Sequence, residues 1–73
     1  MENKILNIIN YIRESKDLPA LTEIHPSDNL REQIQFSSFD LAELTVRIED
    51  EFNIDIFEDG LVATIGEIYE KLK

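Results

Sequence analysis

The sequence predicts an all-α domain: a small antiparallel four-helix bundle, three longer helices plus one short helix, with a long loop between the first and second helices. Three observations carry this. Apolar residues recur at helical spacing in three separate stretches, serine and threonine stand where helix starts need caps, and the one alternating segment, NIDIF, has no clear second strand to pair with. A chain of 73 residues, 42% of them hydrophobic, suffices for a single domain over 1–73 with one core. It contains no cysteine, so neither a disulfide nor a thiolate metal site can staple the fold, and apolar packing has to hold it.

Each element follows from local chemistry. Ile5, Ile8, Ile9 and Ile12 fall at i, i+3, i+4 and i+7, with Leu6 and Tyr11 beside the stripe, which predicts a first helix over 3–15. It is expected to stop near Lys16 or Asp17, because Pro19 disfavours helical geometry at Leu18 and has no amide hydrogen to donate. A connection over 17–37 follows, containing Pro19, Pro26 and the turn-prone Ser27, Asp28 and Asn29. About twenty residues without regular structure is long for a compact domain. The segment is therefore expected to be functional or packed down, and Leu21, Ile24, Leu30, Ile34 and Phe36 are the residues to pin it. A second helix is expected over 38–52, with Leu41, Leu44, Ile48 and Phe52 on one face and Asp40, Glu43, Arg47, Glu49 and Asp50 mostly away from it. The chain should then run extended through Ile56 into a short helical turn over 57–62. Thr64 and Glu67 fit a capping box that opens a last helix reaching Leu72, with Ile65, Ile68, Tyr69 and Leu72 inward.

Sixteen acidic residues against seven basic ones give a formal charge of −9. That field repels phosphate backbones and anionic lipid surfaces, and it attracts basic protein surfaces. Nucleic acid is excluded as the expected partner. The N-terminal apolar residues are interrupted by Asn, Lys, Arg and Glu, so no membrane span or signal-peptide apolar region is expected and the chain reads as cytoplasmic.

Conventional catalysis is hard to assemble from this inventory. The single histidine, His25, precedes Pro26 in the long loop, and a Ser38–His25–Asp arrangement exists only on paper. Scattered carboxylates carry no acid/base information by proximity alone. A calcium loop beginning at Asn53 or Asp55 would put Phe57 where an oxygen ligand is required, so no specific metal site is expected. What remains is the pair Ser37-Ser38 before the acidic helix. Ser37 is a good N-cap, with Asp40 three residues on and near the positive helix end. Ser38 falls in the first turn, where unpaired backbone N–H groups suit a phosphate ester; the residues alone permit a modified serine without requiring one.

These residues resemble the acyl carrier protein family. Ser37-Ser38-Phe39 occupies the place of the family's Asp-Ser-Leu motif, followed by Asp40-Leu41-Ala42-Glu43-Leu44 and Ile48-Glu49-Asp50-Glu51-Phe52 in register with its acidic second helix. The resemblance continues through Ile54-Asp55-Ile56 and Thr64-Ile65-Gly66-Glu67 to the last helix, and the length is near that of free-standing members. It implies one acyl-carrier-like domain, not an enzyme, that bears 4′-phosphopantetheine on Ser38 as a phosphodiester and presents acyl groups as thioesters. The arm comes from coenzyme A through a phosphopantetheinyl transferase that needs magnesium. The other implied partners are acyl-loading and acyl-transferring enzymes with basic docking surfaces, and the charge together with the need to visit many partners favours a monomer. Carried over by position, the resemblance names Asp40, Glu43, Glu49 and Asp50 as charged contacts and Val46 and Ile56 as apolar ones.

Four departures shape the functional expectation. Ser37 replaces the family's aspartate, Phe39 its leucine, and Gln35 a glycine common before the motif, while the stretch from Phe52 to Thr64 is slightly short. Together they suggest a specialised biosynthetic pathway, with housekeeping fatty acid synthesis as the alternative and an aminoacyl or peptidyl carrier third. From another class, an unmodified acidic helical adaptor for basic proteins shares the fold and the charge.

Overall fold

The computed structural model describes residues 2–58, 60 and 62–72. It contains three helices, α1 (Glu2–Ser15), α2 (Ser38–Phe52) and α3 (Ile65–Lys71). The described residues form no strand beyond an isolated antiparallel bridge between Asn29 and Thr64. The all-α class holds. The fourth helix expected over 57–62 lies partly on residues 59 and 61, outside the described residues. Its described part consists of turns, in which Glu58 N donates to Asp55 O and Gly60 N to Phe57 O.

α1 and α2 run antiparallel, as two ion pairs mark: Lys4 at the start of α1 meets Glu51 near the end of α2, and Lys16 just past α1 meets Asp40 at the start of α2. Between them Ile5, Ile9 and Ile12 face Leu44 and Ile48, all five without solvent exposure. The isoleucine stripe read from spacing is thus the core, with Ile8 only partly buried against it.

α1 ends for a reason beyond Pro19. Asp17 takes the left-handed conformation at φ 64°. Leu18 N then donates to Arg13 O at 2.9 Å and Asp17 N to Glu14 O at 3.0 Å, the Schellman arrangement that satisfies carbonyls left open by the helix end. α2 also ends on a left-handed residue, Asn53 at φ 60°, but with the single bond of the simpler cap, its amide donating to Glu49 O.

The long connection is packed down, as expected, with Leu30, Ile34 and Phe36 buried and Leu21 and Ile24 partly so. Three polar attachments were not legible in the sequence. Asn10 exchanges two bonds with Leu21, donating to its carbonyl at 2.9 Å and accepting from its amide at 2.8 Å. Arg13, 3% exposed, donates to Pro19 O and Ile34 O. A buried guanidinium is costly unless it is hydrogen-bonded, and these carbonyls take its Nε and Nη1 donors while tying both ends of the loop to α1.

The loop also meets α3. Leu30 N donates to Ala63 O, Ile65 N to Asp28 O and Gly66 N to Pro26 O. Gly66 suits that contact, because a Cβ there would stand 3.0 Å from the Pro26 carbonyl oxygen and press the loop backbone away. Thr64 caps α3 by accepting from Glu67 N, while the Glu67 carboxylate takes the amide of Ala63, one residue before the position a capping box implies.

Candidate functional site

The site is built around the first turn of α2. Ser37 is the N-cap, extended at φ −83° and ψ 178°, and its hydroxyl accepts from Asp40 N. The Asp40 carboxylate reaches back to accept from Ser37 N at 2.8 Å and from Ser37 Oγ at 3.0 Å. Lys16 Nζ donates to the same carboxylate oxygen and to Gln35 O, so one lysine locks the end of α1 to the start of α2. Partial burial acts to raise the Asp40 pKa. Hydrogen bonds from Lys16 and Ser37, together with the Lys16 charge, outweigh it and hold the carboxyl below its ordinary value.

Ser37 is thereby occupied in both directions, and Ser38 is not. Ser38 stands exposed as the first residue of α2, and its Oγ accepts a bond from Arg31 Nη2 at 2.6 Å. His25 is turned elsewhere, with Nε2 3.5 Å from Glu23. Arg31 is held by the turn beginning at Asn29, whose side-chain oxygen accepts the amides of Arg31 and Glu32. Gln35 closes that turn at φ 66°. The position that resembles a family glycine is therefore one where the backbone is left-handed, which glycine adopts without strain and glutamine does not.

Ser38 and Arg31 stand on the rim of a cleft of about 310 Å³ whose apolar lining includes Leu30, Leu41, Ala42, Phe57 and Val62. Leu44 and Ile48, fully buried, do not line it. The arrangement offers an exposed hydroxyl beside a cation, at the mouth of an apolar recess. That donor set fits an anionic phosphodiester, and among the described residues no general base hydrogen-bonds to Ser38 Oγ.

The outer face of α2 carries Glu43, Val46, Glu49 and Asp50 among the residues named by position. Val46 is 65% exposed and, with Glu43, Arg47, Glu49, Asp50 and Asn53, lines a broad groove. Glu43 is paired with Arg47 at 2.8 Å, and Arg47 also lies 4.0 Å from the Tyr11 ring centre. Phe39, next to Ser38, is 88% exposed, the most exposed of the large apolar residues among those described. Two residues named by position are committed within the fold. Asp40 has a side chain only 13% exposed and is held by Lys16 and Ser37, and Ile56 is fully buried in the core. Alternation in NIDIF left its inward residue undetermined, and packing sends Ile56 inside while Ile54 stays partly exposed.

A family model described as the phosphopantetheine attachment site matches residues 8–72. The chain belongs to this family of carrier proteins. No curated protein and no solved structure matched the chain. As a family member the carrier bears covalently attached 4′-phosphopantetheine and works with enzymes such as phosphopantetheinyl transferases. Among its described residues no helix is long and apolar enough to cross a membrane. Sequence reasoning missed Arg31 beside Ser38. No local signal marks it, because its approach to Ser38 depends on the turn that folds the loop back onto α2.

Proposed function

We propose that Ser38 is the attachment serine and that the protein carries acyl intermediates as thioesters for a specialised biosynthetic pathway. The observation that carries this reading is the division of labour between adjacent serines: Ser37 Oγ is engaged twice by Asp40, while Ser38 Oγ is exposed at the rim of an apolar cleft. When bound, the group supplies a thiol at the end of a long flexible arm. The chain's own residues hold and present it. Ser37 and Asp40 fix the first turn of α2, and Ser38 projects the point of attachment into solvent. The apolar lining from Leu41, Ala42, Phe57 and Val62 offers shelter from water to a short acyl chain.

Docking falls to the exposed part of α2. Glu43, Val46, Glu49 and Asp50 present charge around an apolar centre, which suits enzymes with basic patches, and Phe39 adds an aromatic contact next to the arm. Asp40 and Ile56 leave this set, since neither presents a free surface. The protein acts as a cytoplasmic monomer that catalyses no step itself. Support for a specialised pathway over housekeeping fatty acid synthesis comes from Ser37 and Phe39: the transferase meets a cap hydroxyl in place of a carboxylate, and partners meet an exposed phenyl ring.

The test is intact mass after incubation with coenzyme A, magnesium and a phosphopantetheinyl transferase, for wild type, Ser38→Ala and Ser37→Ala. One phosphopantetheine is expected on wild type and on Ser37→Ala, and none on Ser38→Ala, whose helical circular dichroism is unchanged. Mass gain on Ser38→Ala would move the site. Full biological function in the Ser38→Ala strain would favour an unmodified adaptor instead.

A further inference from the structure

Arg31 is placed unlike Lys4, Arg13, Lys16 and Arg47. Lys4, Lys16 and Arg47 each hold a carboxylate, and Arg13 is buried on backbone carbonyls. Among the described residues no carboxylate lies within ion-pair distance of Arg31, although the chain has 16 acidic residues against seven basic ones. Its guanidinium makes one bond within the described protein, the 2.6 Å donation to Ser38 Oγ. The guanidinium is exposed, but its backbone is fixed: Asn29 Oδ1 accepts the Arg31 amide at 2.8 Å, and Leu30 beside it has no solvent exposure.

We propose that Arg31 is the phosphate-binding residue of the carrier arm. The inference rests on Ser38 being the attachment serine. Replacing the hydroxyl hydrogen by a phosphoryl group leaves Oγ in place and sets two non-bridging oxygens, sharing one negative charge, beside a guanidinium most of whose donors have no partner among the described residues. Arginine's planar fork matches such an anion with two parallel hydrogen bonds, which lysine's single point charge does not reproduce. The start of α2 adds a potential of the same sign. The pairing holds the first atoms of the arm against the loop side of α2, at the rim shared with Asn29, Leu41 and Ala42, so the arm leaves toward the cleft instead of swinging over the outer face. Arg31 acts as a positioning residue; it forms and breaks no bond.

The experiment uses the modified protein isolated from its source cells as wild type, Arg31→Gln and Arg31→Lys, with intact mass confirming the arm on each. In wild type the phosphodiester ³¹P resonance is expected to lie away from that of a free phosphopantetheine diester. It should move toward the free position in Arg31→Gln and fall between the two in Arg31→Lys. The Arg31 Nε–H signal of wild type should shift between unmodified and modified forms, a comparison that needs no variant to fold. A ³¹P resonance identical in wild type and Arg31→Gln, with an Arg31 signal unmoved by modification, would overturn the proposal. An arm missing from wild type, or still present on Ser38→Ala, is read by mass alone and would remove the attachment reading and this inference with it.

Discussion

The two ends of α2 use the same side-chain chemistry for opposite purposes. At the start, Asp40 stands where the helix dipole is positive, completes the cap with Ser37 and pairs with Lys16. At the far end Glu49, Asp50 and Glu51 stand where the dipole is negative, with no basic residue in the last turn. Glu51 has Lys4, but Glu49 and Asp50 have no cation within ion-pair distance among the described residues. The first carboxylate stabilises the helix, whereas the later ones oppose its dipole, which accords with the docking role proposed for Glu49 and Asp50.

The scale for this comparison is set by the inner face, which both ends share. Ile48→Ala removes a fully buried side chain and is expected to cost about 3 kcal/mol in denaturant unfolding. A loss well under 1 kcal/mol would mean that α1 and α2 are not packed as described. Next comes the start of α2, where Ser37→Ala removes the cap and is expected to cost about 1 kcal/mol while leaving arm attachment intact. Gln35→Gly, just before it, should act in the opposite direction. It relieves a left-handed non-glycine residue and is expected to stabilise by about 1 kcal/mol, a Tm rise of several degrees.

The Asp40 contribution depends on pH with a definite sign. Its carboxyl is held below the ordinary value near 3.8 when folded, so the unfolded chain binds the proton more readily. The stabilisation is present above that ordinary value and disappears as pH falls through the lower, folded one. Asp40→Asn should therefore lower stability at pH 7 and flatten this part of the acid limb. An unchanged limb would show that the Lys16 pair contributes nothing. The smallest stability effect belongs to the far end. Glu49→Gln with Asp50→Asn should leave stability unchanged or raise it by about 0.5 kcal/mol, yet weaken association with a basic partner enzyme and reduce its salt dependence. A clear loss of stability in that double variant would erase the contrast between the two ends.

Much of the architecture was legible in the residues because it rests on local chemistry. Isoleucine spacing located α1 and its buried face, and Ser37 and Thr64 marked the starts of α2 and α3. The five apolar residues expected to pin the long loop all contact the core. Residues whose roles depend on distant partners were not legible. Arg13 and Asn10 have no local pattern that announces a loop anchor, and Asp40 has the composition of a surface acid until Lys16, 24 residues away, is folded against it. Ile56 follows the same logic, since an alternating segment can turn either side inward.

By itself, then, the sequence determined where helices begin, which stripes seek burial and which serine is free of capping duty, because each depends on residues within about one helical turn. Only the tertiary structure decided which carboxylates are spent inside the fold and which stay available. Only it brought Arg31 to Ser38 and opened a cleft beside them. Those outcomes require segments far apart in the chain to meet, and their meeting is set by packing of the whole core, which no local pattern encodes.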